Sequence, residues 1–187
     1  MGRAKLYDPQ HAIEAIKASF WANGFEGTSL QMLETATGLP KQTLYREFGD
    51  KRQMYLAALA DYERSEIRSA AEVMRSAADA RAAFAALFDM ILADAMQCED
   101  RHGCFLCNAS ADRTSINHTI SGAVEDALER WRTVLSDTLE KSGLDTQLTD
   151  PMLAGYIGLR ILSRAGARVA QLQHAVSGLL SLLPDED

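Results

Sequence analysis

Ile116, Ile120, Val124, Leu128, Trp131, Leu135 and Leu139 recur at steps of three and four until Gly143. That spacing lines one face of a long helix. The same period returns in Ile13, Ile16 and Phe20 before Gly24, and in Leu30 and Leu33 before Gly38. It continues in Met54, Tyr55, Leu59 and Tyr62 toward Arg75, and in Phe84, Leu87, Phe88 and Ile91. Met152, Leu159 and Leu162, then Val169, Leu172, Val176, Leu179 and Leu183, complete the series, with a break around Gly166. Gly and Pro fall between these runs, where they end or open helices. The chain therefore reads as all-α, with about nine helices.

Helix starts carry recognisable devices. Asp8-Pro9 supplies a capping oxygen and a residue suited to a first turn, and Asp150-Pro151 repeats the pair. Thr28-Ser29-Leu30-Gln31 has capping-box form, Pro40 can open a helix to Phe48, and Asp50 with Gln53 caps the next. The 187 residues, 47% of them hydrophobic, suffice for a sizeable core in one or two domains. Charge is uneven, because residues 1 to 55 carry seven Lys/Arg against six Asp/Glu, whereas the rest carry twelve against twenty. Nucleic-acid affinity is thus expected in the N-terminal third. Cys98, Cys104 and Cys107 are odd in number and clustered, which argues for reduced thiols and a cytoplasmic setting. No apolar run approaches the ~18 residues of a membrane span, and the first residues carry neither an apolar signal core nor a myristoylation motif.

Within "TGLPKQTLYREFGDK", Thr37-Gly38-Leu39 is a tight turn between two short helices. Lys41, Gln42 and Thr43 occupy the first turn of the second helix, while Leu44 and Phe48, four apart, face inward. That arrangement is a helix-turn-helix whose second helix enters a major groove. The stretch "GFEGTSLQMLETATGLPKQTLYREFGDKRQMY", Gly24 to Tyr55, resembles the TetR family of one-component transcriptional repressors. The resemblance implies a DNA-binding domain over 1–52 and an effector-binding and dimerisation domain over 53–187. It further implies a palindromic double-stranded operator, and release by a small-molecule effector. By the same resemblance Thr28, Ser29, Tyr45 and Lys51 look like backbone-phosphate contacts, and Lys41, Gln42 and Thr43 like the groove-reading set. Pro40 stands where the family often has a capping Ser, and the arm has only Arg3 and Lys5 as basic residues.

"QCEDRHGCFLCNAS" turns at Gly103 and places Cys104 in the first turn of a new helix, where the helix dipole and a protonated His102 favour thiolate. Here the chain resembles a GCxxxNA element of electrophile-responsive members of the family, with Asn108 and Ala109 in the matching places. Cys104 is then a thiol sensor, a pocket-lining residue, or an inert core side chain. Cys107 reads first as core, though a disulfide with Cys98 or Cys104 is open to it. The H-x-C-x-x-C spacing matches no common structural zinc pattern, and no metal or cofactor is expected. An effector pocket is expected among Phe88, Phe105, Trp131 and Tyr156, with Phe84, Met90 and Met96 nearby, although helical spacing would equally place these in a core. A homodimer, as the resemblance implies, would use about 151–164 and 168–183, with Ala154, Gly155 and Gly158 allowing close approach and Leu172, Val176, Leu179 and Leu180 supplying apolar area. Rival classes are a helical adaptor without DNA binding, which leaves Lys41, Gln42 and Lys51 unexplained, and a thiol-dependent redox enzyme, for which no catalytic constellation is present.

Overall fold

The computed structural model describes residues 7–97, 103–111 and 118–184. Arg3, Lys5, Cys98, His102 and Ile116 lie outside them. Among the described residues there are nine α-helices, one 3-10 turn and no strand. They are α1 Pro9–Gly27, α2 Leu30–Thr37, α3 Lys41–Phe48, α4 Lys51–Arg75, α5 Ala80–Gln97, α6 Phe105–Ala111, α7 His118–Lys141, α8 Thr149–Arg164 and α9 Val169–Leu180.

Asp8 caps α1 as expected, accepting from Gln10 N, and Ala12, Ile16 and Phe20 form its buried face at four-residue steps. Gly24 interrupts α1 with φ 69° and ψ 177°, a conformation essentially closed to residues with a Cβ. Ser29, and not Thr28, is the cap of α2, accepting from Met32 N at 3.2 Å. The Asp50–Gln53 box opens α4 as read from sequence, with each residue bonding the other's backbone. Asp150 does not cap α8. Helix α8 begins one residue earlier, behind a 3-10 turn at Thr146–Leu148, and Asp150 instead receives the Arg132 guanidinium at 2.7 Å.

No linker separates the two halves, because α4 runs without a break from the end of the N-terminal head, α1 to α3, into the body. Leu33, Leu39, Leu44, Phe20 and Tyr55 bury together at the head. Lys17 ties α1 to α4 through Asp61 at 2.8 Å. Beyond them, Phe84, Leu87, Phe88 and Ile91 of α5 face the core with Ile120, Trp131, Leu135 and Leu139 of α7. Leu172 and Val176 of α9 turn into this same core, and Gly155 of α8 lets α9 approach, since a Cβ there would meet the Leu179 side chain at 2.5 Å. These residues, expected to face a second copy, therefore pack within the chain.

The joint between head and body is aromatic. Phe105 meets Tyr55 edge-on at 5.4 Å and Tyr62 edge-on at 5.8 Å and stacks on Trp21 at 6.4 Å, while Tyr55 in turn meets Phe20 at 5.1 Å and Phe25 at 5.3 Å. Offset and edge geometries of this kind add to the burial of large rings. Phe105→Ala is expected to cost about 3–5 kcal/mol, read as a lower urea midpoint, whereas removing a peripheral aromatic such as Tyr45 should cost less than about 0.5 kcal/mol.

Candidate functional site

Two regions carry chemistry. The first is the surface of α3. Gly38 adopts the left-handed conformation, φ 67° and ψ 10°, and its N–H donates to Glu34 O at 2.9 Å. Thr37 tightens the turn, its hydroxyl donating to Leu33 O at 2.7 Å and accepting from Leu39 N at 3.1 Å. Pro40 offers no capping side chain, but Glu34 takes over that duty by accepting from Lys41 N at 2.6 Å. A carboxylate at that end also complements the helix dipole. Leu44 is fully buried and Phe48 half-buried, which turns Lys41, Gln42, Tyr45 and Arg46 outward and leaves Thr43 at the margin.

Ser29 is exposed beside this surface at the start of α2. Lys51 opens α4 with its ammonium 4.6 Å from the Phe25 ring centre, and Lys41 lies 5.6 Å from that of Tyr45. Thr28 departs from expectation: it is wholly buried, and its hydroxyl donates to Ser19 O at 3.2 Å and Gly24 O at 2.7 Å. Its side chain fastens the end of α1 and is turned away from any phosphate. Sequence reading passed over Arg46, although its place four residues after Gln42 puts it on the same face.

The second region is a cavity of about 510 Å³ where α1, α6 and α8 meet. Trp21, Asn23 and Gly24 form its α1 wall, Cys104, Cys107 and Asn108 its α6 wall, and Arg160, Ile161 and Arg164 its α8 wall. Of the expected effector residues, only Cys104 and Asn108 are there. Phe88 packs on Phe84 at 6.2 Å, Trp131 packs on Tyr156 at 4.5 Å, and Phe105 sits in the aromatic joint, so these four are core. Helical spacing places a side chain on the inner face of its helix without saying whether that face meets a cavity or a neighbour.

Cys104 caps α6, its carbonyl accepting from Asn108 N at 3.0 Å. The neighbouring Cys107 thiol draws the Cys104 pKa down to about 6 against the cost of burial, with further help from the Tyr62 hydroxyl and the Arg160 charge. The nearness of Cys104, together with burial, pushes the Cys107 thiol far up. Tyr62 is itself held protonated by burial, then by Cys104 and Glu66. Arg160 is buried yet stays charged against the cost of burial. Its Nε donates to the Tyr156 hydroxyl at 3.2 Å, and its terminal nitrogens reach Asp94 at 2.9 Å and Glu66 at 2.7 Å. Glu66 has its pKa raised, first by burial. Among the described residues no group of three or more His, Cys, Asp or Glu could hold a metal ion, and no helix is long and apolar enough to cross a membrane.

Comparison with known proteins gives this geometry a context. Residues 12–58 match the family model of bacterial regulatory proteins of the tetR family, and residues 80–175 match that of the C-terminal domain of LmrA/YxaF-like transcriptional regulators. The chain is 26% identical over 195 residues to the uncharacterised HTH-type transcriptional regulator YezE of Bacillus subtilis, covering 98% of this chain and 100% of that one. It is 26% identical over 194 residues to the HTH-type transcriptional repressor ComR of Escherichia coli, covering 98% and 92%. Its fold is that of the TetR family regulator CifR, solved as a cysteine mutant with a 26-base-pair operator duplex, at a TM-score of 0.87 and 22% identity over 97% of this chain and 100% of that chain. Reduced NemR of Escherichia coli shares it at a TM-score of 0.81 and 19% identity, over 91% and 93%. With one family model lying on the helix-turn-helix and a second spanning the body behind it, the chain belongs to the TetR family of DNA-binding transcriptional regulators and is not an enzyme.

Proposed function

We propose that the protein is a homodimeric repressor that binds a palindromic operator through α3 and lets go when a small electrophile occupies the cavity and reacts at Cys104. The observation that carries this reading is the position of the cavity. Its walls join Cys104 to Trp21, Asn23 and Gly24, at the end of the helix on which the reading head is built. An effector there acts on the head directly, and a coupling of about 1–3 kcal/mol between its site and the operator is enough to empty the operator.

Lys41, Gln42 and Thr43 are assigned to base edges, and Ser29, Tyr45 and Lys51 to phosphates, with Arg46 added from its exposure beside them. The second copy is assigned to the outer face of α8. Ala154, Ile161 and Leu162 are exposed there, Ile161 by 52% and Leu162 by 46%, Gly158 is half-buried among them, and nothing lies within 4 Å of the place of a Gly158 Cβ. Ile161 also lines the cavity, so an occupant would touch the dimer face as well as the head.

The decisive test is titration against labelled DNA from upstream of the protein's own gene, at two salt concentrations, with and without an electrophile panel. Tight, salt-sensitive binding that an electrophile reverses supports the reading; failure across a wide sequence selection defeats it. Lys51→Ala is expected to weaken operator and random DNA alike and to make the log-log salt slope shallower by about one, and an unchanged slope would remove Lys51 from the phosphates. Cys104→Ser should keep operator binding and lose the electrophile response. Because thiolate is the reactive form and forms above its pKa of about 6, the rate of alkylation at Cys104 should climb from pH 5 to a plateau above pH 7. A rate still rising through pH 8 to 9, as for an ordinary thiol, would contradict the perturbed Cys104.

A further inference from the structure

The Cys104-Phe105-Leu106-Cys107 segment contains more chemistry than a single reactive thiol requires. Cys104 stands at the cap of α6 and Cys107 three residues on, so that both lie on one side of the helix start and both line the cavity wall. Side chains three apart on a helix have Cβ atoms about 5–6 Å apart, and a disulfide needs about 3.5–4.5 Å. Closure therefore asks for a shift on the order of 1 to 2 Å, which falls to Cys104 because its own N–H precedes the helix and only its carbonyl is held by α6. A third group points to the same place: the Tyr62 hydroxyl is buried without a full hydrogen bond to any protein atom, and it faces the Cys104 sulfur.

We propose that Cys104 and Cys107 form a dithiol and disulfide couple closed by hydroperoxides, so that the operator is released by oxidation of two thiols as well as by electrophilic capture of one. This rests on the reading of Cys104 as the reactive thiol. The Cys104 thiolate attacks the terminal oxygen of the hydroperoxide, the O–O bond breaks, and the alkoxide leaves as alcohol after taking a proton from solvent. Cys104 is then a sulfenic acid. The Cys107 sulfur gives up its proton and attacks the Cys104 sulfur, the S–S bond forms, the S–O bond breaks, and hydroxide leaves with that proton as water. Two thiols are oxidised and one hydroperoxide is reduced. Tyr62, placed beside Cys104, is the donor available to the departing oxygen. The shift is transmitted because Gly103 packs on α8, where a Cβ would meet the Arg164 side chain at 2.9 Å.

Trypsin places both cysteines on one peptide, His102 to Arg113, and Cys98 on the preceding one, which makes the test direct. The full chain, bound to its operator, is treated with hydrogen peroxide and separately with N-ethylmaleimide, then digested. The expected result is that peroxide removes two hydrogens from the His102 peptide and releases the operator, both reversed by dithiothreitol. Cys107→Ser should yield a Cys104 sulfenic acid trapped by dimedone, with release by peroxide reduced at least tenfold and release by N-ethylmaleimide kept. A disulfide to Cys98, or a wild-type His102 peptide that gains oxygen instead of losing hydrogens, overturns the couple while leaving the electrophile reading intact. Loss of the N-ethylmaleimide response in the wild-type protein overturns both.

Discussion

The contact on which the working parts depend is the Phe105 ring lodged among Tyr55, Tyr62 and Trp21. Helix α6 has only seven residues, far too few to hold helical form by its own hydrogen bonds. Its stability comes from burial of Phe105, Leu106 and Ala109 where α6 packs among α1, α4, α7 and α8. The residue before Phe105 is Cys104. A thiol is thereby held at a fixed place against the helix that supports the reading head, and any change in its size or bonding presses on that joint.

Electrostatics bind the same region to the rest of the body. Arg160 reaches from α8 to Glu66 on α4 and Asp94 on α5, and lies 5.4 Å from the Tyr156 ring centre. A buried guanidinium is costly to desolvate, and such a cluster persists only when its donors are satisfied, as they are here by two carboxylates and a phenol. It also leaves positive charge near Cys104, which favours thiolate. The arrangement links the helix of the proposed dimer face, the helix that continues into the head, and the Cys104 sulfur.

The reading head was largely legible in the sequence because its signals are local. Gly38 at a left-handed turn, Leu44 and Phe48 four apart, and the Asp50–Gln53 box each act over a few residues, and each is found in place. Two details failed for reasons of competition. Thr28 and Ser29 both bear hydroxyls, and burial against Ser19 and Gly24 took the first, leaving the second to cap α2. Pro40 lacks a capping group, and the remedy came from Glu34 on the neighbouring helix, which no local rule anticipates. The effector set expected from sequence shows the same limit. Phe88, Trp131 and Tyr156 have the right spacing for an inner face, and that face turned out to meet other side chains.

By itself the sequence determined which segments are helical, the opening of α1 at Asp8 and of α4 at Asp50, which helix presents Lys41, Gln42 and Tyr45 outward, and that Cys104 opens a helix. Those properties follow from backbone hydrogen bonds and side-chain periodicity within a few residues of one another. Tertiary structure alone decided that Trp21, Cys107 and Arg164 share a cavity, that Phe105 lodges among Tyr55, Tyr62 and Trp21, and that Glu66 and Asp94 converge on Arg160. Such proximities depend on how helices distant in the chain pack around one aromatic joint, and a pattern read along the chain carries no record of that packing.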